Sequence, residues 1–262
     1  MKTILITSGG KGGTGKTTIA LNLAVTLSYM YRRDVKYPVI LVDLGFDTNT
    51  ATTILSEGKY SYNFYVNDFL EGKVKDLSKL LYVKSWSISN EIFNLVFTPS
   101  KPLTSMLGLD MDKLSILINK LSAIGPKFII IDSPASNDKK FMLDLARSIE
   151  HVLPIVTPDH SCINAVSELL KFLSDSSPRL SILKPILNML NTKYINDPIT
   201  SMDWLSLVKK AIGREPHVVP FDKLLMISRQ ALEIEVLKIS PYESEAVKAI
   251  LNYVRELINV LQ

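Results

Sequence analysis

The sequence predicts a doubly wound α/β fold, with a mostly parallel sheet and helices on both of its faces. Three observations carry that expectation: short apolar runs without polar alternation, longer amphipathic stretches between them, and a glycine-rich turn joining the first run to the first amphipathic stretch. The runs are Thr3–Thr7, Val39–Asp43, Asn94–Pro99, Phe128–Asp132, Val152–Thr157, Pro185–Leu190 and His217–Phe221. Each is apolar on both faces, as expected of a strand buried on both sides. Helices are expected near 16–31, 64–71, 75–82, 110–123, 138–148, 161–174, 201–211 and 223–231. A last helix should start at a capping box, with Ser240 as cap, Pro241 in the first turn and Glu243 closing the box. Its apolar stripe is Val247, Ile250, Leu251, Val254, Leu257, Ile258 and Leu261.

The chain has 262 residues, 47% of them hydrophobic, which suffices for one large domain spanning 1–262. No repeat, low-complexity run or linker-like stretch interrupts it. A net charge of +4 and a pI near 8.9 permit contact with nucleic acid or acidic lipid without requiring it. The single cysteine, Cys162, cannot form an internal disulfide or hold an iron–sulfur cluster within one chain. The apolar start, Met1 to Thr7, is too short for a signal peptide, and no run reaches membrane-spanning length. The expected location is cytoplasmic.

Residues 10–17 read Gly-Lys-Gly-Gly-Thr-Gly-Lys-Thr and match G-x-x-x-x-G-K-[ST] without a mismatch, between an apolar run and a helical pattern. Glycines let such a loop wrap a phosphate and turn its N–H groups inward, and the following helix N-terminus adds partial positive charge. The expected nucleotide-binding set is Gly10, Lys11, Gly12, Gly13, Thr14, Gly15, Lys16, Thr17 and Thr18. Lys16 is placed to neutralise the β- and γ-phosphates of ATP, and the Thr17 hydroxyl to ligate Mg²⁺. Phe128–Asp132 is the pattern of the second acidic strand of such sites, with Asp132 near the metal.

Lys11 is not required by an ordinary phosphate loop. The string Lys-Gly-Gly-Thr-Gly-Lys-Thr-Thr over 11–18 resembles the deviant Walker A motif of the ParA/MinD superfamily. The resemblance runs over nearly the whole chain. It implies an ATPase whose ATP-bound form is a homodimer, with Lys11 reaching the partner's phosphates, where a cation stabilises transition-state charge. It also implies a protein partner that stimulates hydrolysis. In the family the second strand ends in Asp-x-Asp, and its second acid helps to position the attacking water. Here the string is Asp43-Leu44-Gly45-Phe46-Asp47, so Asp43 matches the first acid, Gly45 replaces the second, and Asp47 is a candidate substitute. The catalytic candidates are therefore Lys11, Lys16, Asp43 and Asp47, and the metal candidates Thr17 and Asp132. The wording Asp132-Ser133-Pro134-Ala135 is closer to MinD than to plasmid ParA.

Ile186 to Asn191 resembles the family strand that ends at adenine, which makes Asn188 the candidate for base recognition. The segment His217 to Asp222 resembles the loop over the other side of the base and adds Pro220 and Asp222. The family docks its dimer on nucleoid DNA or on membrane. The chain's end, Glu256 to Gln262, lacks the lysine and arginine of a membrane-surface helix. Lys209, Lys210, Arg214, Lys223 and Arg229 form a basic set in the C-terminal third, so nonspecific DNA is favoured over membrane. A cluster carrier is excluded by the lone cysteine, and a carboxylate ligase of this fold is disfavoured by Lys11. An ATP-binding scaffold with little hydrolysis and a MinD-like membrane-associated cell-division regulator remain open.

Overall fold

The computed structural model of the chain describes residues 1–59, 62–102, 110, 112–136, 138–192 and 202–261. The elements in order are β1 (Lys2–Thr7), α1 (Lys16–Met30), β2 (Val39–Asp43), α2 (Thr50–Leu55), α3 (Val66–Leu70), a 3-10 turn (Leu77–Leu80), β3 (Tyr82–Ile88) and β4 (Glu91–Thr98). Then come α4 (Asp112–Ser122), β5 (Phe128–Asp132), α5 (Lys139–Ala146), β6 (His151–Val156), α6 (His160–Ser176), β7 (Ser181–Ile182) and β8 (Ile186–Leu190). The chain finishes with α7 (Trp204–Ile212), β9 (His217–Pro220), α8 (Lys223–Gln230), α9 (Glu235–Lys238) and α10 (Glu245–Leu261).

The apolar runs build one sheet of order β3-β4-β2-β5-β1-β6-β8-β9, with β7 beside the start of β6. All pairings are parallel except the β3–β4 hairpin. Alternate residues of each strand serve the two faces. Leu5, Ile40, Val42, Ile129 and Ile131 pack with α4, α5 and α6, whereas Ile4, Ile6, Leu41, Ile130 and Leu153 pack with α1 and α10. Helix α1 is apolar nearly all round because it lies between the sheet and α10. The stripe of α10 is buried apart from the half-buried Leu251. Each fully buried aliphatic side chain there contributes about 1.5–3 kcal/mol, so this helix belongs to the core.

Strand β1 lies at the sheet's centre, between β5 and β6, and successive strands leave it in both directions. That is a topological switch point, where a crevice opens beyond the strand C-termini. The glycine-rich loop leaves β1 there, and register places Asp43 of β2 directly beside Asp132 of β5.

Several elements differ from expectation, among them the short β7 and α9, which were not expected. Residues 82–88 form an antiparallel edge strand of alternating exposure, and the expected helix over 75–82 is reduced to the 3-10 turn. The hairpin turns on Ser89 and Asn90, both left-handed at φ 51° and 65°, so it works without glycine. Helix α2 was not expected, because Thr-Ala-Thr-Thr is poor in intrinsic helix formers. The residues of the expected capping box form a turn in which the Ser240 N–H donates to Glu243 Oε2. The helix itself starts later, with Ser244 Oγ accepting from Val247 N–H at 3.1 Å. Positions 111 and 201, within two expected helices, and Gln262 lie outside the described residues.

Candidate functional site

The phosphate loop is built around left-handed glycines, Gly9, Gly10, Gly13 and Gly15, with φ between 61° and 87°. Two of them are also places of close approach. A Cβ on Gly9 would stand 2.5 Å from the α6 backbone at Ala165, and one on Gly15 would stand 2.2 Å from Asn188 Nδ2. Lys16 is held in the loop, its Nζ donating to Ser8 Oγ at 3.0 Å and to the Lys11 carbonyl at 2.9 Å. Burial pulls the Lys16 ammonium below its ordinary value, against the opposing charges of Asp132 and Asp47. A desolvated cation with two neutral partners has much to gain from an anion.

A cavity of about 310 Å³ opens over this loop. Residues 12–18 form its floor, and Gly45, Asp47, Thr48, Ser133 and Arg229 contribute to its walls. Thr14 Oγ1 and Ser133 Oγ are buried without hydrogen-bond partners, as is Asp132 Oδ1. The two hydroxyls can donate to a phosphate, and the orphaned carboxylate oxygen fits its cation. Burial, with Asp43 alongside, pushes the Asp132 carboxyl up to about 7, while the hydroxyl of Thr17 and the charges of Lys16 and Arg229 pull it back. A hard oxygen set of this kind suits Mg²⁺, and Thr17 and Asp132 are the residues that would hold it.

Asp43 is not among the described residues that line the cavity. Its Oδ1 accepts the Gly45 N–H at 2.8 Å, and its Oδ2 accepts the Thr52 N–H at 2.9 Å and the Thr52 hydroxyl at 2.6 Å. Asp43, a catalytic candidate from the sequence, thus engages both carboxylate oxygens within its own loop. It braces the 43–52 loop and starts α2. Asp47 is exposed, lines the cavity and lends its charge to Lys16. Lys11 is absent from the described lining. Its positive charge is felt by Asp159, whose carboxyl is held below its ordinary value chiefly by the hydroxyl and N–H of Ser161.

A second cavity, of about 290 Å³, adjoins the first. It brings together Asn188, Pro220 and Asp222, the three expected base contacts, with Met189, Phe221 and Leu225. Asn188 is fixed by donating Nδ2 to the Thr14 carbonyl at 2.8 Å, which ties β8 to the phosphate loop. Next to it the β8–β9 ladder has a bulge, and Met189 is left-handed at φ 61°. Non-glycine residues in that region carry strain and cluster at binding sites. Asp222 caps α8 through the Leu224 N–H at 2.8 Å and accepts the Ser244 hydroxyl at 2.5 Å. Its carboxylate therefore shapes the cavity wall as a structural acceptor.

Arg229 departs from its expected place in a basic surface set. It turns inward, its Nη1 donating to Thr18 Oγ1 at 3.2 Å. Lys209 is engaged by Glu215 at 2.6 Å, which leaves Lys210, Arg214 and Lys223 of that set exposed and outside the ion pairs formed among the described residues. Arg229 is the site residue that sequence reasoning missed. Nothing local marks it, because α8 reaches the loop only through the tertiary fold.

Comparison with known proteins agrees with this geometry. Residues 5–251 match the CobQ/CobB/MinD/ParA nucleotide binding domain. A putative septum site-determining protein MinD from Oltmannsiellopsis viridis is 26% identical over 241 residues, covering 90% of this chain and 70% of that protein. Among solved structures, MinD in the MinC:MinD cell division complex of Aquifex aeolicus superposes with a TM-score of 0.79 at 23% identity, covering 99% of this chain and 96% of that one. The septum site-determining protein MinD of Pyrococcus horikoshii, complexed with Mg-ADP, gives 0.75 at 23% identity, covering 100% and 98%. The chain belongs to the CobQ/CobB/MinD/ParA family of nucleotide-binding domains, the superfamily of ParA/MinD ATPases that its phosphate loop resembles.

Proposed function

We propose that the chain is an ATP-driven dimerisation switch used in intracellular positioning. ATP with Mg²⁺ fills the two adjoining cavities, triphosphate on the loop and base against Asn188 and Pro220. Lys16 neutralises the β- and γ-phosphates, and the loop N–H groups bind their oxygens. Bound magnesium supplies charge neutralisation across the same phosphates. The observation that carries the switch reading is Lys11: a loop lysine outside the lining of its own cavity is available to a second copy's nucleotide. Hydrolysis then removes the γ-phosphate that both copies hold, and the dimer separates.

The docking surface belongs to this proposal too. Nonspecific DNA would meet Lys210, Arg214 and Lys223, a smaller set than the sequence suggests because Arg229 faces inward. The burial of α10 supports no membrane role for that helix, and among the described residues no helix is long and apolar enough to cross a membrane. The MinD relatives favour a second reading, a regulator of division-site placement that acts through a protein partner. Sedimentation with a non-hydrolysable ATP analogue tests the switch. Wild type should shift from monomer to dimer, and Lys11→Ala should bind the analogue yet stay monomeric. A wild-type chain that remains monomeric at saturating analogue would refute the proposal. ATP-dependent gel shifts and liposome flotation then separate the surfaces.

A further inference from the structure

ATP is a rod of fixed order: base, ribose, α-phosphate, β-phosphate, γ-phosphate. Whatever lines both the base cavity and the triphosphate cavity must therefore face the middle of that rod. Among the described residues, only Thr18 and Arg229 line both. Thr18 sits on the first turn of α1, one residue after Thr17. Arg229 reaches the same point from α8 and is tied to it through the Thr18 hydroxyl.

The surroundings of Arg229 are built. Asn22 of α1 donates Nδ2 to the Thr18 carbonyl at 2.7 Å and to Glu235 Oε2 at 2.6 Å, and its Oδ1 accepts the Val236 N–H at 2.9 Å. Glu235 is buried, at 2% exposure, and its charge acts on Arg229 from behind. Burial pulls the guanidinium below its ordinary value, with Glu235 and Asp132 opposing. Yet the described residues place no carboxylate in ion-pair contact with it. A largely buried guanidinium that bonds one hydroxyl and lines both cavities has the donors and charge that suit an anion.

We propose that Arg229 binds the α-phosphate of the nucleotide in its own subunit, as a third cation beside Lys16 and the partner's signature lysine. The inference rests on the ATP-binding reading and deepens it. Its consequence is that Arg229 grips ATP and ADP alike, whereas contacts to the γ-phosphate distinguish them. Product retention is then set from α8, the element that also walls the base cavity.

Calorimetric titration of the full chain with Mg·ATP and Mg·ADP tests this, using wild type, Arg229→Gln and Arg229→Lys. An ADP analogue with a methyl group in place of one nonbridging α-phosphate oxygen completes the cycle. Arg229→Gln should lose roughly ten- to a hundredfold in affinity, by the same factor for ATP and ADP, as for loss of a charged hydrogen bond. Arg229→Lys should recover part of that loss, which a merely structural role would not predict. The analogue should be penalised in wild type and no further in Arg229→Gln. Affinity of the variant within about twofold of wild type, a loss confined to ATP, or fully additive losses with the analogue would each overturn the assignment. Should Arg229→Gln not fold, the same cycle with Arg229→Lys decides. A wild-type chain that takes up neither nucleotide would instead refute the underlying ATP reading.

Discussion

The two ends of the nucleotide site are built by different means. The phosphate end is local: Ser8 to Thr18 supply the loop, both lysines and the helix start within eleven consecutive positions. The base end is assembled from afar, from Asn188 on β8, Pro220 on β9, Asp222 capping α8 and Arg229 within it. The two ends meet where Asn188 donates to the Thr14 carbonyl over Gly15, and again where Arg229 donates to the Thr18 hydroxyl. A contiguous loop fixes chemistry by backbone conformation, and a dispersed wall fixes it by packing. Substitutions should therefore break the first abruptly and the second by degrees.

The largest effect should come from Lys16→Ala. The loop loses the ammonium that meets two phosphates, each charged hydrogen bond being worth about 1.5–3 kcal/mol. Calorimetry should show at least a hundredfold loss of Mg·ATP affinity. Thermal unfolding without nucleotide should move little, because burial already disfavours the charged Lys16 and Ser8 Oγ keeps its bond to the Lys11 carbonyl. Retained affinity in that variant would contradict the assignment of the phosphate site.

A smaller effect should follow from Gly15→Ala, which strikes where the two ends meet. The left-handed φ of 87° costs an alanine strain, about 1–3 kcal/mol. Its Cβ would also displace Asn188 Nδ2 from 2.2 Å away. Stability should fall by about 2–4 kcal/mol, the sum of that strain and a lost hydrogen bond. Gly12→Ala is the control, since a Cβ there meets nothing and the residue is not left-handed. Denaturant midpoints that fall equally for both variants would erase the distinction between a packed glycine and a merely flexible one.

The same contrast explains what could be read from the chain before its structure. The loop, β1, β2, β5 and Asp132 were legible because each is a short continuous string whose meaning is local. Asn188, Pro220 and Asp222 were legible only through resemblance, since a polar residue ending a strand has no signature of its own. Arg229 looked like surface charge because its amphipathic helix gives no hint of the cavity it faces. The β3–β4 hairpin was hidden by its Ser89-Asn90 turn, which lacks glycine, although Tyr82–Phe97 and Trp86–Phe93 pair across it. Helix α2 was hidden for a related reason. Its cause is the Asp43 carboxylate at its first turn, a tertiary partner that overrides the poor propensity of its threonines.

The smallest effect on affinity, and the most informative on chemistry, concerns Gly45 and Asp47. In-line attack on the γ-phosphate needs a water held in place, and positioning supplies much of the catalysis in phosphoryl transfer. Gly45 offers no side-chain acceptor, and Asp43 is occupied by Thr52 and the Gly45 N–H. Asp47 is the exposed carboxylate on the cavity wall. Basal hydrolysis should therefore be slow, and Asp47→Ala should lower the single-turnover rate by roughly tenfold with Mg·ATP affinity nearly unchanged. Asp43→Ala should lower it differently, through loss of the brace that shapes the loop, and so should cost stability as well. Gly45→Asp should raise the rate, provided that Asp43 Oδ1 yields a few tenths of an ångström to the new Cβ, which would stand 3.0 Å away. The three rates and three denaturation midpoints, taken together, separate a group that holds water from one that holds the loop. A rate indifferent to Asp47→Ala, rising only with Gly45→Asp, would show that the natural chain has no water-positioning acid and would favour a long-lived ATP-bound scaffold.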